Sequence, residues 1–102
     1  MKTYKVEIEN TALDDLEELS DFLANQMTLD SAWQYKEALR NEIISLSIYA
    51  DLYKTSRYAD ILRFHPRARR MVSHNKKWVY IFHREESVVI LDRIYPARMI
   101  TK

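Results

Sequence analysis

The hydrophobic period of this chain is helical over residues 12–46 and strand-like from residue 67, and that division limits the folds it can form. Ala12, Leu16, Leu19 and Leu23, with Phe22 beside them, recur at helical spacing, as do Ala32, Tyr35, Leu39, Ile43 and Leu46. From residue 67 the texture is that of strands, over residues 67–74, 78–83 and 87–95. A further strand opens the chain, where Tyr4, Val6 and Ile8 alternate with Lys5, Glu7 and Glu9. The helical stretch and the later strands are thus segregated, which argues for an α+β fold. The order is β-α-α-β-β-β: an antiparallel sheet covered on one face by an N-terminal helical hairpin.

Local signals sharpen the boundaries. Thr11 with Asp14, and Ser31 with Gln34, have capping-box spacing, so helices are expected over 12–27 and from 31 onward. Asp14, Asp15, Glu17 and Glu18 fill the first turns, where the helix dipole favours negative charge. Lys36, Glu37, Arg40, Asn41 and Glu42 are expected to face water. The short polar link 27–30 makes the helices antiparallel. Residues 48–66 lack a clean period and read mainly as an exposed connection. Val88, Val89, Ile90 and Leu91 form a continuous apolar run, as in a strand covered on both faces. The chain has no glycine, which leaves Asn75 as the expected left-handed turn residue between the hairpin strands.

Composition removes several functions. With 102 residues the chain makes one domain, 1–102. It has no cysteine, so disulfide scaffolds, thiolate zinc sites and cysteine nucleophiles drop out. Its three histidines show no His-x-x-x-His pair, so no metal pattern is read and no cofactor is expected. No apolar run approaches the ~18 residues of a membrane span, and Glu7 interrupts the N-terminus before any signal-like stretch forms. A cytoplasmic protein is expected.

The net charge of +1 conceals a division. Residues 1–53 carry four basic side chains against eleven acidic ones, and residues 54–102 carry twelve against four. Such asymmetry points to a surface for a polyanion or acidic partner, with the late cations gathered on one exposed side of the sheet. Alternatively, the two halves neutralise each other across a folded contact.

Several segments resemble the RelE/ParE superfamily of type II toxin–antitoxin toxins. Ala12–Leu16 fits an Ala-x-x-Asp-Leu pattern after the first strand, and Arg69-Arg70-Met71 resembles the family's opening of strand 2. Trp78-Val79-Tyr80-Ile81-Phe82 is similar to its aromatic strand 3. The run from Val88 through Arg93-Ile94-Tyr95 to Ala97-Arg98 is similar to its ending. The resemblance covers nearly the whole chain. In its RelE-like branch it implies a metal-independent, ribosome-dependent mRNA endonuclease, in which a 2′-hydroxyl attacks the adjacent 3′ phosphate. That chemistry needs a base, cations for the phosphorane charge and an acid for the leaving oxygen. Arg70 and Arg98 suit the cationic task, because a guanidinium grips two phosphate oxygens. Tyr95 suits base stacking or proton transfer, and His83 suits acid–base work. Lys54, Arg67, Arg69, His74, Lys76 and Lys77 are the expected RNA contacts. Trp33, Trp78 and Phe82 read as packing residues.

The ParE-like branch implies another activity, inhibition of DNA gyrase by binding, and the ending over residues 93–99 leans towards it. The cations and histidines between residues 57 and 83 lean towards RNA, which is the preferred reading. A non-toxic interaction module of the same fold is a third. In the toxin readings the resemblance implies a cognate antitoxin as partner, with a homodimer or toxin–antitoxin heterotetramer as the assembly. The target is the ribosome with mRNA, or gyrase.

Overall fold

The computed structural model describes residues 3–99. Strand β1 (Lys5–Ile8) leads into helix α1 (Asn10–Gln26) and helix α2 (Leu29–Tyr49). In α1 the buried positions are Ala12, Leu19 and Leu23, and in α2 they are Leu39, Ile43 and Leu46. Both sets are spaced by whole numbers of turns, so each helix turns one stripe to the sheet. The expected caps form differently. Glu9 is the N-cap of α1 without a side-chain bond, while Thr11 donates across to the Asp92 carbonyl at 2.8 Å. Thr28 caps α2 by accepting from the Ser31 N–H at 3.2 Å, so this helix starts ahead of Ser31. No helix among the described residues is long and apolar enough to cross a membrane.

The C-terminal half supplies β2 (Arg69–Val72), β3 (Trp78–Glu85) and β4 (Val88–Pro96), and the sheet order is β1-β4-β3-β2. The last three strands form the expected antiparallel meander, but β1 pairs with β4 in parallel, so the sheet is mixed. After the helices the chain enters the sheet at its far edge as β2, and two hairpin reversals bring β4 beside β1 in parallel. Between β3 and β4 the register slips at Ile81/Phe82, where Ile81 faces Arg93 and Phe82 faces Leu91. Asp92 is the extra residue of this bulge, a device that re-aims neighbouring side chains.

The main core lies between helices and sheet, where Tyr80, Phe82, Val89 and Leu91 meet the helix stripes. The opposite face is not bare. A single helical turn, α3 (Ala59–Leu62), places fully buried Ile61 on Ala68, Val79 and Ile81, with Tyr58, Phe64 and Tyr95 around it. The expectation of an exposed connection over 48–66 is therefore corrected. One turn is too short to display a helical period, yet full burial of one isoleucine stabilises by about 1.5–3 kcal/mol. Glu42 is corrected as well: it is half-buried, accepting from the Tyr80 hydroxyl at 2.7 Å and the His74 N–H at 3.0 Å.

Lacking glycine, the two hairpin turns put Lys76 and Glu86 in the left-handed region, at φ 63° and 54°. Asn75 does not take that conformation. Its Oδ1 instead accepts from the Lys77 N–H and the Ser73 hydroxyl, closing the turn through a side chain.

Candidate functional site

Alternation along β2 sends its two arginines to opposite faces. Arg70 lies over the Tyr58 ring, its guanidinium carbon 5.2 Å from the centroid. Arg69 turns the other way: its Nη1 donates to the Ala50 carbonyl at 3.0 Å and to Asp51 Oδ1 at 3.2 Å. Asp51 also accepts from the Tyr4 hydroxyl and lies 3.8 Å from Arg84 Nε, while Arg84 Nη1 donates to Tyr4 Oη at 2.8 Å. The Tyr4 hydroxyl above all holds the Asp51 carboxyl below its ordinary range; burial pushes the other way, and the Arg69 hydrogen bond and the Arg84 charge add to the lowering.

Arg93 meets the N-terminal half in the same way. Its Nε and Nη2 donate to the two carboxylate oxygens of Asp15, at 2.9 and 3.1 Å. Arg69, Arg84 and Arg93 thus all reach carboxylates of residues 1–53. For these three arginines the folded contact between halves describes the charge division better than a single exposed cationic face.

Other late cations remain exposed: Lys54, Arg57, Arg63, Arg67, Lys76, Lys77 and Arg98, with His74 among them. Three of these converge. The Ala97 N–H donates to the Lys77 carbonyl at 2.9 Å, which docks the turn carrying Arg98 against the β2–β3 hairpin. Lys76, Lys77 and Arg98 then line one groove of about 560 Å³ whose apolar lining is Phe22, Trp78, Pro96 and Ala97. The hairpin is tied to α2 by Tyr35, whose hydroxyl accepts from Trp78 Nε1 at 2.9 Å and from the Asn75 amide. This groove has an apolar floor and a cationic rim, suited to an acidic amphipathic segment.

The four residues assigned acid–base and phosphate roles occupy different places. Arg98 belongs to that groove. Tyr95 lies in a neighbouring hollow with Asp15, Phe22 and Trp78, its ring 5.4 Å from Phe64 and 4.7 Å from the Arg93 guanidinium. Arg70 sits on Tyr58. His83 is 5% exposed, with Nδ1 2.6 Å from Asp92 Oδ2 and Nε2 3.2 Å from Glu85 Oε1. Burial pushes the Asp92 carboxyl above its ordinary range, partly countered by the His83 hydrogen bond. The His65 ring stacks on His83 at 3.7 Å between centroids, and Arg63 and Arg93 line the same hollow. Of the expected RNA contacts, Lys76 and Lys77 share the groove with Arg98. Lys54 and Arg67 are exposed, Arg69 is held by Asp51, and exposed His74 is bonded to Glu42 through its backbone N–H.

Sequence reasoning gave no site role to Asp15, Glu42, Arg63, His65, Asp92 or Arg93. The Asp15–Arg93 contact spans 78 residues, and no local spacing encodes it. The bulge that aims Asp92 at His83 is equally silent, because the run from Val88 to Tyr95 reads as one regular strand.

No curated protein matches the sequence. Among solved structures, the chain is similar to one described as the chromosomal ParDE TA system from P. aeruginosa. The TM-score is 0.75 at 12% identity, with 92% of this chain and 96% of that chain covered. At that identity the likeness concerns the fold alone. A family model described as the ParE toxin of the type II toxin–antitoxin system parDE matches residues 6–101. With nearly every described element inside that match, the chain belongs to the ParE toxin family of type II toxin–antitoxin systems.

Proposed function

We propose that this toxin acts by binding, with DNA gyrase as its target, rather than by cutting mRNA. The observation that carries the reading is the setting of His83. Both its ring nitrogens face carboxylate oxygens, of Asp92 and Glu85, and the ring is 5% exposed. A general base must have the substrate's proton within hydrogen-bond reach of its nitrogen; here a carboxylate oxygen stands before each nitrogen, and the two carboxylates repel a phosphodiester. Tyr95 is engaged by Phe64 and Arg93, and Arg98 lies in the separate groove with Lys76 and Lys77. Dispersed cations with apolar neighbours suit a binding surface better than a phosphoryl-transfer centre, where donors must converge on one oxyanion. Membership of the family supports the same choice, since the ParE-like branch is the one associated with gyrase.

A cognate antitoxin is the partner the family implies. The groove of Lys76, Lys77, Arg98, Phe22 and Trp78 is the surface we assign to its acidic, amphipathic segment. Disordered acidic segments fold onto such grooves by burying apolar side chains while their charges steer the encounter.

The test uses the purified toxin in two assays. With gyrase and relaxed plasmid, supercoiling is expected to fall and gyrase–DNA complexes to accumulate. With translating ribosomes, mRNA ends are expected to stay intact. Cuts at codon positions that disappear in Arg98→Ala would overturn the proposal in favour of ribosome-dependent cleavage. Normal supercoiling, intact mRNA and no growth arrest on expression would overturn it in favour of an interaction module.

A further inference from the structure

Away from the cationic groove, the far end of the β3–β4 hairpin gathers donor atoms that the proposed function does not use. His65, His83, Glu85 and Asp92 line a hollow of about 490 Å³ together with Glu9, Arg63 and Arg93. The two contacts of His83 narrow what can stand between its ring and Glu85. When its Nδ1–H donates to Asp92 Oδ2 at 2.6 Å, Nε2 is left as a lone pair, faced at 3.2 Å by Oε1 of Glu85. Two acceptors turned towards each other are held by a shared positive charge, either a proton or a metal ion.

The spacing suits a metal. Zinc–nitrogen and zinc–oxygen bonds of about 2.0–2.2 Å in a tetrahedron set ligand atoms roughly 3.3 Å apart, close to the 3.2 Å between His83 and Glu85. His65 brings another imidazole, and one donor atom each of His65, His83 and Glu85 lie within 4.8 Å of one another. A carboxylate on the remote nitrogen of a metal-binding histidine is the usual orienting partner, and Asp92 occupies that position. With both imidazoles neutral, Glu9, Glu85 and Asp92 oppose Arg63 and Arg93, three charges against two. Arg93 is in addition paired with Asp15. The hollow is therefore negative on balance.

We infer that His83, Glu85 and His65 form a binding site for a borderline divalent transition-metal ion such as Zn²⁺, with Asp92 orienting His83. Imidazole and carboxylate donors without thiolate select such ions over Mg²⁺ and Ca²⁺, which favour all-oxygen sets. The third ligand carries a cost. His65 Nδ1 accepts from the Arg67 N–H at 3.0 Å, and its ring lies 4° from parallel to His83. To ligate through Nε2 it gives up that hydrogen bond and turns out of the stack. His83 and Glu85 are therefore the anchoring pair, and His65 strengthens the site. Because His65 follows α3, the ion fastens the segment over the outer sheet face to the end of β3. The histidines lie 18 positions apart in sequence, which is why spacing gave no metal pattern.

The experiment titrates Zn²⁺ into the untagged chain by calorimetry, in two buffers with different ionisation heats. One equivalent is expected to bind, with heats that differ between buffers to the extent that the ion displaces protons from the ligand atoms, and affinity is expected to fall as pH falls because protons compete with the ion. Glu85→Gln and His83→Gln are expected to weaken binding at least tenfold, His65→Ala by less, and His74→Gln not at all; Mg²⁺ at the same concentrations is expected to give no saturable heat. Thermal unfolding without metal checks each variant. If His83→Gln does not fold, exposed Glu85 and half-buried His65 decide the matter. Absence of saturable Zn²⁺ binding, or wild-type affinity in Glu85→Gln, would overturn the site. Unchanged affinity in His65→Ala would overturn the three-ligand set.

Discussion

Asp15 of α1 grips Arg93 of β4 with both carboxylate oxygens, and its Oδ2 also accepts the Ile94 N–H at 2.8 Å. Strand β1 pairs with β4 only over Val88–Leu91, so beyond that point β4 has an open edge. A helix carboxylate takes the place of a strand there. The pair is mostly enclosed, at 12% exposure for Asp15 and 29% for Arg93. Exposed pairs contribute about 0–1 kcal/mol and breaking a buried one costs about 3–5 kcal/mol. Asp15→Ala is accordingly expected to cost about 2–3 kcal/mol, measured by urea unfolding. Asp15→Asn, which keeps an acceptor for Ile94, is expected to cost less. In a double-mutant cycle with Arg93→Met the effects are expected to be non-additive; simple additivity would show that the pair is not coupled.

Tyr80 is fully buried and donates to Glu42 Oε2. Burial, followed by the Glu42 hydrogen bond and charge, raises its phenol far above the ordinary value of 10.0. The sign of the linkage follows. Above the ordinary value the unfolded chain releases this proton while the folded chain keeps it, so unfolding becomes easier as pH rises. Below it, the contribution is fully present. Tyr80→Phe is expected to cost about 1–2 kcal/mol at neutral pH and to flatten the loss of stability above pH 10. Urea midpoints across the alkaline range compare the two proteins. Equal alkaline slopes would remove Tyr80 as the source.

Why these contacts escape sequence reasoning is a matter of range. Leu39, Ile43 and Leu46 lie every three or four residues, so their burial follows from a local period. Glu42 sits on the border of the same stripe, and only the phenol of Tyr80, 38 residues away, decides that it turns inward. That Arg69 and Arg70 face opposite ways follows from strand alternation. That Arg69 is held by Asp51 does not, because Asp51 lies in a 3₁₀ turn whose path no periodicity describes. Ile61 had only one helical turn in which to announce itself, and β1 shows the same alternation whether it pairs in parallel or not. Groups within one turn or one strand were readable, and partners brought together by the sheet were not.

The absence of glycine leaves a removable strain. Glu86 and Lys76 hold positive φ values of 54° and 63°, where an ordinary side chain crowds the backbone at a cost of roughly 1–2 kcal/mol. Glycine removes that crowding but gives up more chain entropy on folding. Glu86→Gly, in the exposed turn before β4, is expected to raise stability by about 0.5–1 kcal/mol, seen as a higher Tm. Glu86→Ala keeps the Cβ and is expected to give no such gain. A gain of equal size in Glu86→Ala would trace the effect to charge instead.

The groove beside Arg98 separates the two contributions to antitoxin capture that our functional proposal assigns to it. Lys76, Lys77 and Arg98 are exposed and form its rim, while Phe22, at 55% exposure, presents an apolar edge to it. Charges at a rim accelerate encounter and are screened over a Debye length of about 10 Å at 0.1 M salt. Apolar contacts form after encounter and act on dissociation. Reversing the rim with Lys76→Glu, Lys77→Glu and Arg98→Glu is therefore expected to slow association with the antitoxin by about tenfold at low salt, a difference that shrinks as salt rises. Phe22→Ala is expected to leave the association rate nearly unchanged and to speed dissociation. Stopped-flow or surface-binding kinetics read both constants. An association rate insensitive to both salt and rim reversal would mean that the cations of this groove do not steer the antitoxin. A Phe22→Ala effect confined to association would mean that the apolar floor is not part of the docked surface.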